Sequence, residues 1–224
     1  MSVSYRFVVI AAVFVTSLIT ANLIAVKVIS VGSLLLPAAI IIFPLSYIFG
    51  DILTEVYGYS WTRRVIWLGF ACNLIFVAFV WLGQLMPAAP FWEGQEAYES
   101  ILGYTPRLLV ASFSGYLVGE FANSFILAKM KLLTQGRWLW MRTIGSTVVG
   151  QGLDTSIFIT LAFIGTPVFA PVMILHHWLA KTAVEALATP ATYAAVGFLK
   201  KKEGVDTYDY KTSFNPFAIS DRRR

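Results

Sequence analysis

Residues 34–57 read LLLPAAIIIFPLSYIFGDILTEVY. The run is apolar for long enough to cross a bilayer as a helix, which takes about 20 residues, yet near its end it carries two carboxylates, Asp51 and Glu55. Five similar runs surround it: Phe7–Ile29, Val65–Met86, Pro106–Lys129, Thr143–Gly165 and Val168–Leu199. The composition agrees. Of 224 residues, 58% are hydrophobic and 13% charged, with a mean hydropathy of +0.71, whereas a soluble domain carries roughly 25% charge. A disordered chain or a disulfide scaffold is excluded by 17 Phe and a single Cys, Cys72, which reads as a small apolar side chain. The expected fold is therefore all-α, a polytopic membrane protein of six transmembrane helices over residues 1–202, with a tail over 203–224. The first run is too long for the core of a signal peptide and reads as a retained helix.

Basic residues flanking membrane spans stay on the cytoplasmic side. Arg6 precedes the first span, Arg63 and Arg64 follow the second, and Lys129, Lys131, Arg137 and Arg142 surround the link from the fourth to the fifth. Lys200, Lys201 and Lys202 follow the sixth. The opposite loops carry Glu93, Glu96 and Glu99 against Arg107, and the links Ser30–Ser33 and Thr166–Pro167 are uncharged. Both termini are expected in the cytoplasm, with the tail as a solvated extension. The basic excess is thus explained by topology, and no nucleic-acid partner is implied.

Two sets of three spans start on opposite sides, so a 3+3 repeat would be inverted. Gly50-Asp51-Ile52-Leu53-Thr54 and Gly152-Leu153-Asp154-Thr155 lend it weak support, with chance similarity as the competing explanation. The four-residue spacings of Gly115 with Gly119 and of Ser146 with Gly150 would let the fourth and fifth helices approach closely, within the chain or across a homodimer.

An ionisable side chain at the centre of a bilayer costs about 2.5–3.5 kcal/mol on insertion scales and needs a partner, a cavity or a function. At 1.5 Å per residue, Glu120 and Asp154 fall near the midplane, Glu185 close by, Asp51 slightly inward and Lys181 slightly outward. These five groups on four helices are expected to converge. Asn22, Asn123 and Gln151 are amides in the spans that could touch a ligand or serve as interhelical glue. Structural alternatives exist for the charges too. Lys181 and Glu185 could pair along one helix face, and Glu55 could be a boundary residue served by Arg63 or Arg64. Lys27 can snorkel outward. Phe43, Tyr47, Phe113, Tyr116, Phe158 and Trp178 share helices with the polar groups and could pack or stack on a flat ring. His176 and His177 point about 100° apart on a helix and are expected near the outer interface. They lack a third ligand, so no metal is implied. No Gly-x-x-x-x-Gly-Lys-Ser/Thr loop and no nucleophile elbow is present.

The stretch from Phe43-Pro44-Leu45-Ser46-Tyr47 through Gly50-Asp51-Ile52-Leu53-Thr54-Glu55-Val56-Tyr57-Gly58 resembles the bacterial queuosine precursor transporters, also called the vitamin uptake transporter family. Ala111-Ser112-Phe113 through Gly119-Glu120 and Gly150-Gln151-Gly152-Leu153-Asp154-Thr155 share in the resemblance. It extends over nearly the whole chain. It implies a six-helix inner-membrane carrier that imports cyano- or aminomethyl-substituted deazaguanine bases for tRNA queuosine synthesis, with no cofactor.

The residues suit such a ligand independently. A guanine-like edge presents an N–H beside an amino group, and one carboxylate accepts both. Asp154 and Glu120 are the candidates for that role, Gln151, Asn123 or Asn22 for the ring carbonyl, and Lys181 for neutralising a site carboxylate when no base is bound. Asp51 and Trp178 complete the expected substrate contacts, and Glu185 with Asp51 is the candidate route for proton coupling, with a facilitated carrier and trapping of the base inside the cell as the alternative. Two rival readings are a substrate-binding subunit of a multi-component vitamin importer and a membrane enzyme using Asp51, Glu120 and Asp154 as acid and base.

Overall fold

The structure is a computed structural model and describes residues 4–31, 34–103, 106–165, 169 and 171–218. Parts of the two uncharged links, at 32–33 and 166–167, and the basic end of the tail lie outside the described residues. A helix lies within each of the six apolar runs, and the described chain is all-α apart from one hairpin. Helix α1 (Tyr5–Ile24) starts where the Ser4 hydroxyl accepts the Phe7 N–H at 3.1 Å, satisfying one of the open donors of the first turn.

The first two runs are not continuous helices. Val26, Val28, Ile29 and Val31 are β-branched and favour extended backbone, so α1 stops at Ile24, short of the expected Ile29. Val28–Val31 (β1) then pairs antiparallel with Leu34–Pro37 (β2), Val28 opposite Pro37. A 3₁₀ turn over Ala38–Ile41 leads into α2 (Phe43–Ile52), which passes into a π-helical turn over Leu53–Tyr57. Pro37 has no N–H to continue a helix backwards, and Pro44 sits in the first turn of α2, where none is needed. Non-helical backbone at membrane depth must satisfy its own polar groups. The groups that face across the hairpin pair with each other, and the Ala38 N–H on the Lys27 carbonyl at 2.7 Å extends the pairing.

Helix α3 (Tyr59–Leu85) starts earlier than expected and takes Arg63 and Arg64 into its first turns. A short exposed helix, α4 (Gln95–Leu102), lies in the acidic loop, and α5 (Pro106–Leu133), α6 (Leu139–Phe163) and α7 (Pro171–Glu203) complete the chain. Among the described residues, α1 and α3 are long and apolar enough to cross a membrane by length and composition alone. The other long helices break their apolar character with the polar side chains described below. Large apolar residues stand exposed on outer faces, among them Ile75, Phe79, Val110, Leu153 and Leu187, the arrangement of a bundle whose outside meets lipid rather than water.

Helix α5 packs along α6, α6 on α7, α7 on α2, and α3 on both α1 and α5. The α5–α6 contact is as close as its small residues predict. A Cβ on Gly119 would lie 2.7 Å from the Asp154 Cβ, and one on Gly150 2.7 Å from the Asn123 Cβ. The Gly115/Gly119 face is thus occupied within the chain.

Over its described residues, 203–218, the tail packs on the bundle and is not a solvated extension. Asp209 accepts the Tyr59 N–H through both oxygens, at 3.1 and 3.2 Å, and so caps α3 after Gly58, whose φ of 86° only glycine adopts without strain. The Thr207 N–H reaches the Val56 carbonyl at 3.1 Å, Arg63 donates to the carbonyls of Ser213 and Asn215, and Trp67 to that of Pro216. The Phe214 ring packs on Tyr59 and Phe125, with the Lys129 ammonium 4.1 Å from its centroid. Alternating charge in the sequence resembled a solvated segment because the backbone acceptors that hold it leave no mark in composition. Partial burial would raise the Asp206 carboxyl, but hydrogen bonds from Lys131 and Lys200 hold it below the ordinary carboxylate range.

Candidate substrate-binding cavity

Between α1, α2, α3, α5, α6 and α7 lies a cavity of about 420 Å³, within the roughly 300–1,000 Å³ of small-molecule sites. Five of the residues expected in the site line it: Asn22, Glu120, Gln151, Asp154 and Lys181. The α5–α6 glycine contact sets Asp154 in place, because its backbone and Cβ press on Gly115 and Gly119. From α7, the Lys181 ammonium reaches the Asp154 Oδ2 at 2.6 Å and stands 5.2 Å from the Phe43 ring centroid. Lys181 therefore pairs across helices with Asp154, and not along its own helix with Glu185.

Glu120, on α5, has its Oε2 against Gly50 and makes no hydrogen bond among the described residues, so it offers a second acceptor to the cavity. On the α2 side, the Tyr47 hydroxyl donates to Gln151 Oε1 at 3.4 Å. On the α1–α3 side, Asn22 Nδ2 donates to Asn73 Oδ1 at 2.7 Å, and Asn73 Nδ2 to the Gly69 carbonyl at 3.0 Å. Phe43, Tyr47, Phe113, Tyr116 and Phe158 add aromatic walls, with Phe43 and Tyr47 stacked at 5.8 Å.

Four expected residues stand elsewhere. The Trp178 indole donates to the Val148 carbonyl at 2.8 Å and lies over Gly152, which locks α7 onto α6 outside the cavity lining. Asp51, Asn123 and Glu185 form a separate buried set, in which Asn123 Nδ2 donates to Asp51 Oδ1 at 3.1 Å. The sequence reading missed Asn73 and His177 among the polar lining residues. Asn73 is a lone amide in an apolar run, a signal equal to that of Asn22. His177 lines the cavity one turn before Lys181, although its sequence position suggested the outer interface. Among the described residues no group of His, Cys, Asp and Glu is suited to a metal ion.

Glu55 is completely buried but belongs to neither set. Arg142 holds both of its oxygens, Lys200 donates to Oε1 at 2.7 Å, and the Lys131 ammonium stands at 3.5 Å. Its cations come from α5, α6 and α7 rather than from Arg63 or Arg64. Chemically, the cavity combines two carboxylates, one of them held by a cation, with three amides and flat aromatic faces. That donor set suits a planar, largely neutral molecule rich in N–H groups.

A family model described as "Putative vitamin uptake transporter" matches residues 37–195. A "Probable queuosine precursor transporter" of Bacillus subtilis (strain 168) is 30% identical over 192 residues, which is 83% of this chain and 82% of that protein. The "Queuosine precursor transporter" of Escherichia coli (strain K12) is 23% identical over 137 residues, 61% of this chain and 58% of its own. A "Probable queuosine precursor transporter" of Haemophilus influenzae is 25% identical over 136 residues, 61% of this chain and 54% of its own. No solved structure matches. The matched residues run from the end of β2 into α7 and include Glu120, Gln151, Asp154 and Lys181 of the cavity, so the protein belongs to the vitamin uptake transporter family, whose members are membrane transporters and not enzymes.

Proposed function

We propose that this protein imports a queuosine precursor, a cyano- or aminomethyl-substituted deazaguanine base, across the cell inner membrane into the cytoplasm. The observation that carries this reading is the cavity, where Asp154, Glu120 and Gln151 stand among aromatic side chains inside a bundle with an apolar exterior. One carboxylate accepts the ring N–H and amino group side by side, Gln151 or the Asn22–Asn73 pair donates to the ring carbonyl, and the aromatic walls cover the faces. Hydrogen bonds to a charged acceptor are worth about 1.5–3 kcal/mol each. An adenine-like base lacking the ring N–H leaves the carboxylate unpaired and is rejected.

Lys181 keeps Asp154 paired while the cavity awaits a base, and it gives way as the base's donors take over. The concentration of Arg6, Arg63, Arg64, Lys131, Arg142 and Lys200–Lys202 near span ends supports a cytoplasmic location for both termini. Transport then proceeds by rocking of two inverted halves about the cavity. The test is accumulation of labelled cyano-deazaguanine in cells that lack precursor synthesis, with and without the protein. Accumulation that depends on the protein, and that guanine, which shares the recognised edge, reduces more than adenine does, is expected. Its absence despite correct membrane expression would contradict the reading.

A further inference from the structure

Behind the cavity wall lies a pair of acids that substrate recognition does not use. Asp51 on α2 and Glu185 on α7 are both completely buried, on helices packed against each other. Three of their four carboxyl oxygens have no hydrogen-bond partner among the described residues. The fourth, Asp51 Oδ1, accepts from the neutral Asn123 amide at 3.1 Å. Neither residue borders the cavity.

The cations nearby are committed elsewhere: Lys181 to Asp154, and Arg142, Lys131 and Lys200 to Glu55 and Asp206. The other charges that act on Asp51 are acidic, Glu120 from α5 and Glu55 from the π-helical turn. On α2 itself the titratable neighbour is Tyr47, α6 carries Arg142, paired with Glu55, and Asp154, paired with Lys181, and α1 carries only Tyr5 and Arg6, whose guanidinium is bound by Glu203. Two buried carboxyls on packed helices cannot both ionise in such surroundings without a positive partner. A single proton shared by the pair supplies one without needing a shell of ligands.

Position ties this pair to the cavity. Tyr47, which lines it, and Asp51 lie four residues apart on one face of the same short helix. That helix ends in a π-helical turn, an irregularity frequent at functional sites. A displacement of α2 that changes access to the cavity therefore also changes the surroundings of Asp51. Resting on the transporter reading above, we propose that Asp51 and Glu185 form a proton-binding site, and that one proton bound there from outside and released inside drives the entry of one molecule of base.

The experiment uses the full chain reconstituted in liposomes. Labelled cyano-deazaguanine uptake is followed under an imposed pH gradient, a sodium gradient or none, together with exchange of labelled for unlabelled base at equilibrium. An inside-alkaline gradient is expected to drive transient accumulation several-fold above equilibrium, and added base to acidify the liposome lumen. In Glu185→Gln, gradient-driven accumulation relative to exchange is expected to fall to the level without a gradient. Wild-type uptake that ignores the pH gradient, accumulation driven by sodium instead, or a Glu185→Gln protein that responds to the pH gradient like the wild type would each overturn the proposal. The wild-type measurements can overturn it even if that variant does not fold, and Asp51→Asn, which keeps the side chain's size, is expected to lose gradient-driven accumulation in the same way. Absence of exchange by the wild type would overturn the transporter reading itself, and this proposal with it.

Discussion

Asp51 and Glu55 stand one helical turn apart on the same stretch of chain and are equally buried, yet their surroundings are opposite. Glu55 is held by Arg142, Lys200 and Lys131, drawn from three other helices, and the tail closes over the cluster through Asp206 and Thr207. Asp51 has one neutral amide. Burial of a charge is costly in both places. At Glu55 the cost is offset by fixed cations, and the result is a structural lock at the basic end of the bundle. At Asp51 no fixed cation offsets it, which is the condition the proposed proton site requires. Depth and burial alone do not identify function; the partners do.

Substitution separates the two most sharply. Glu55→Ala leaves Arg142 and Lys131 buried without their carboxylate and should cost about 3–5 kcal/mol, read as a large fall in the unfolding temperature in detergent. Asp51→Asn removes a charge without changing size and should alter stability by less than about 1 kcal/mol, or raise it. Equal destabilisation by both would erase the contrast.

Of intermediate size is the effect of Gly119→Ala, whose Cβ would stand 3.0 Å from the Gly150 carbonyl and closer still to Asp154. Overpacking of this kind costs about 1–3 kcal/mol, and because it displaces Asp154, uptake should fall more than stability does. An effect on melting alone would detach the α5–α6 contact from the site.

Smallest is the pH response of the tail. The Asp206 carboxyl is held below its ordinary value, so its stabilising contribution is fully present above that ordinary value and is lost as pH falls through the lowered one. Asp206 is 41% exposed, so solvent screens its ion pairs and the contribution is at most about 1 kcal/mol. Hydrogen exchange of residues 205–210 should quicken below about pH 4. Exchange that stays level there would show that the backbone contacts alone hold the segment.

Much of this was legible in the sequence. Apolar length gave a helix in each of the six runs, small-residue spacing gave the α5–α6 contact, and polar residues at depth pointed to Asn22, Glu120, Gln151, Asp154 and Lys181, all on the cavity wall. What sequence could not supply was direction around a helix axis. Trp178 and Lys181 sit within one turn, but Trp178 turns to the Val148 carbonyl while Lys181 turns to Asp154. Apolar content also does not distinguish helix from hairpin in a short segment, which is why Leu34–Pro37 reads as the start of a span. Long-range partners such as Arg142 for Glu55 or Asp209 for Tyr59 are set by the fold and leave no local pattern.

Import as proposed requires Asp154 to bind the base, and calorimetric titration of cyano-deazaguanine into purified wild-type protein and Asp154→Asn, each checked by its melting curve, tests this most directly. Saturable binding by the wild type, weakened by about 100-fold in the variant at an unchanged melting temperature, is predicted from two lost charge-assisted hydrogen bonds. Equal affinity in the two proteins would contradict it and remove Asp154 from the site.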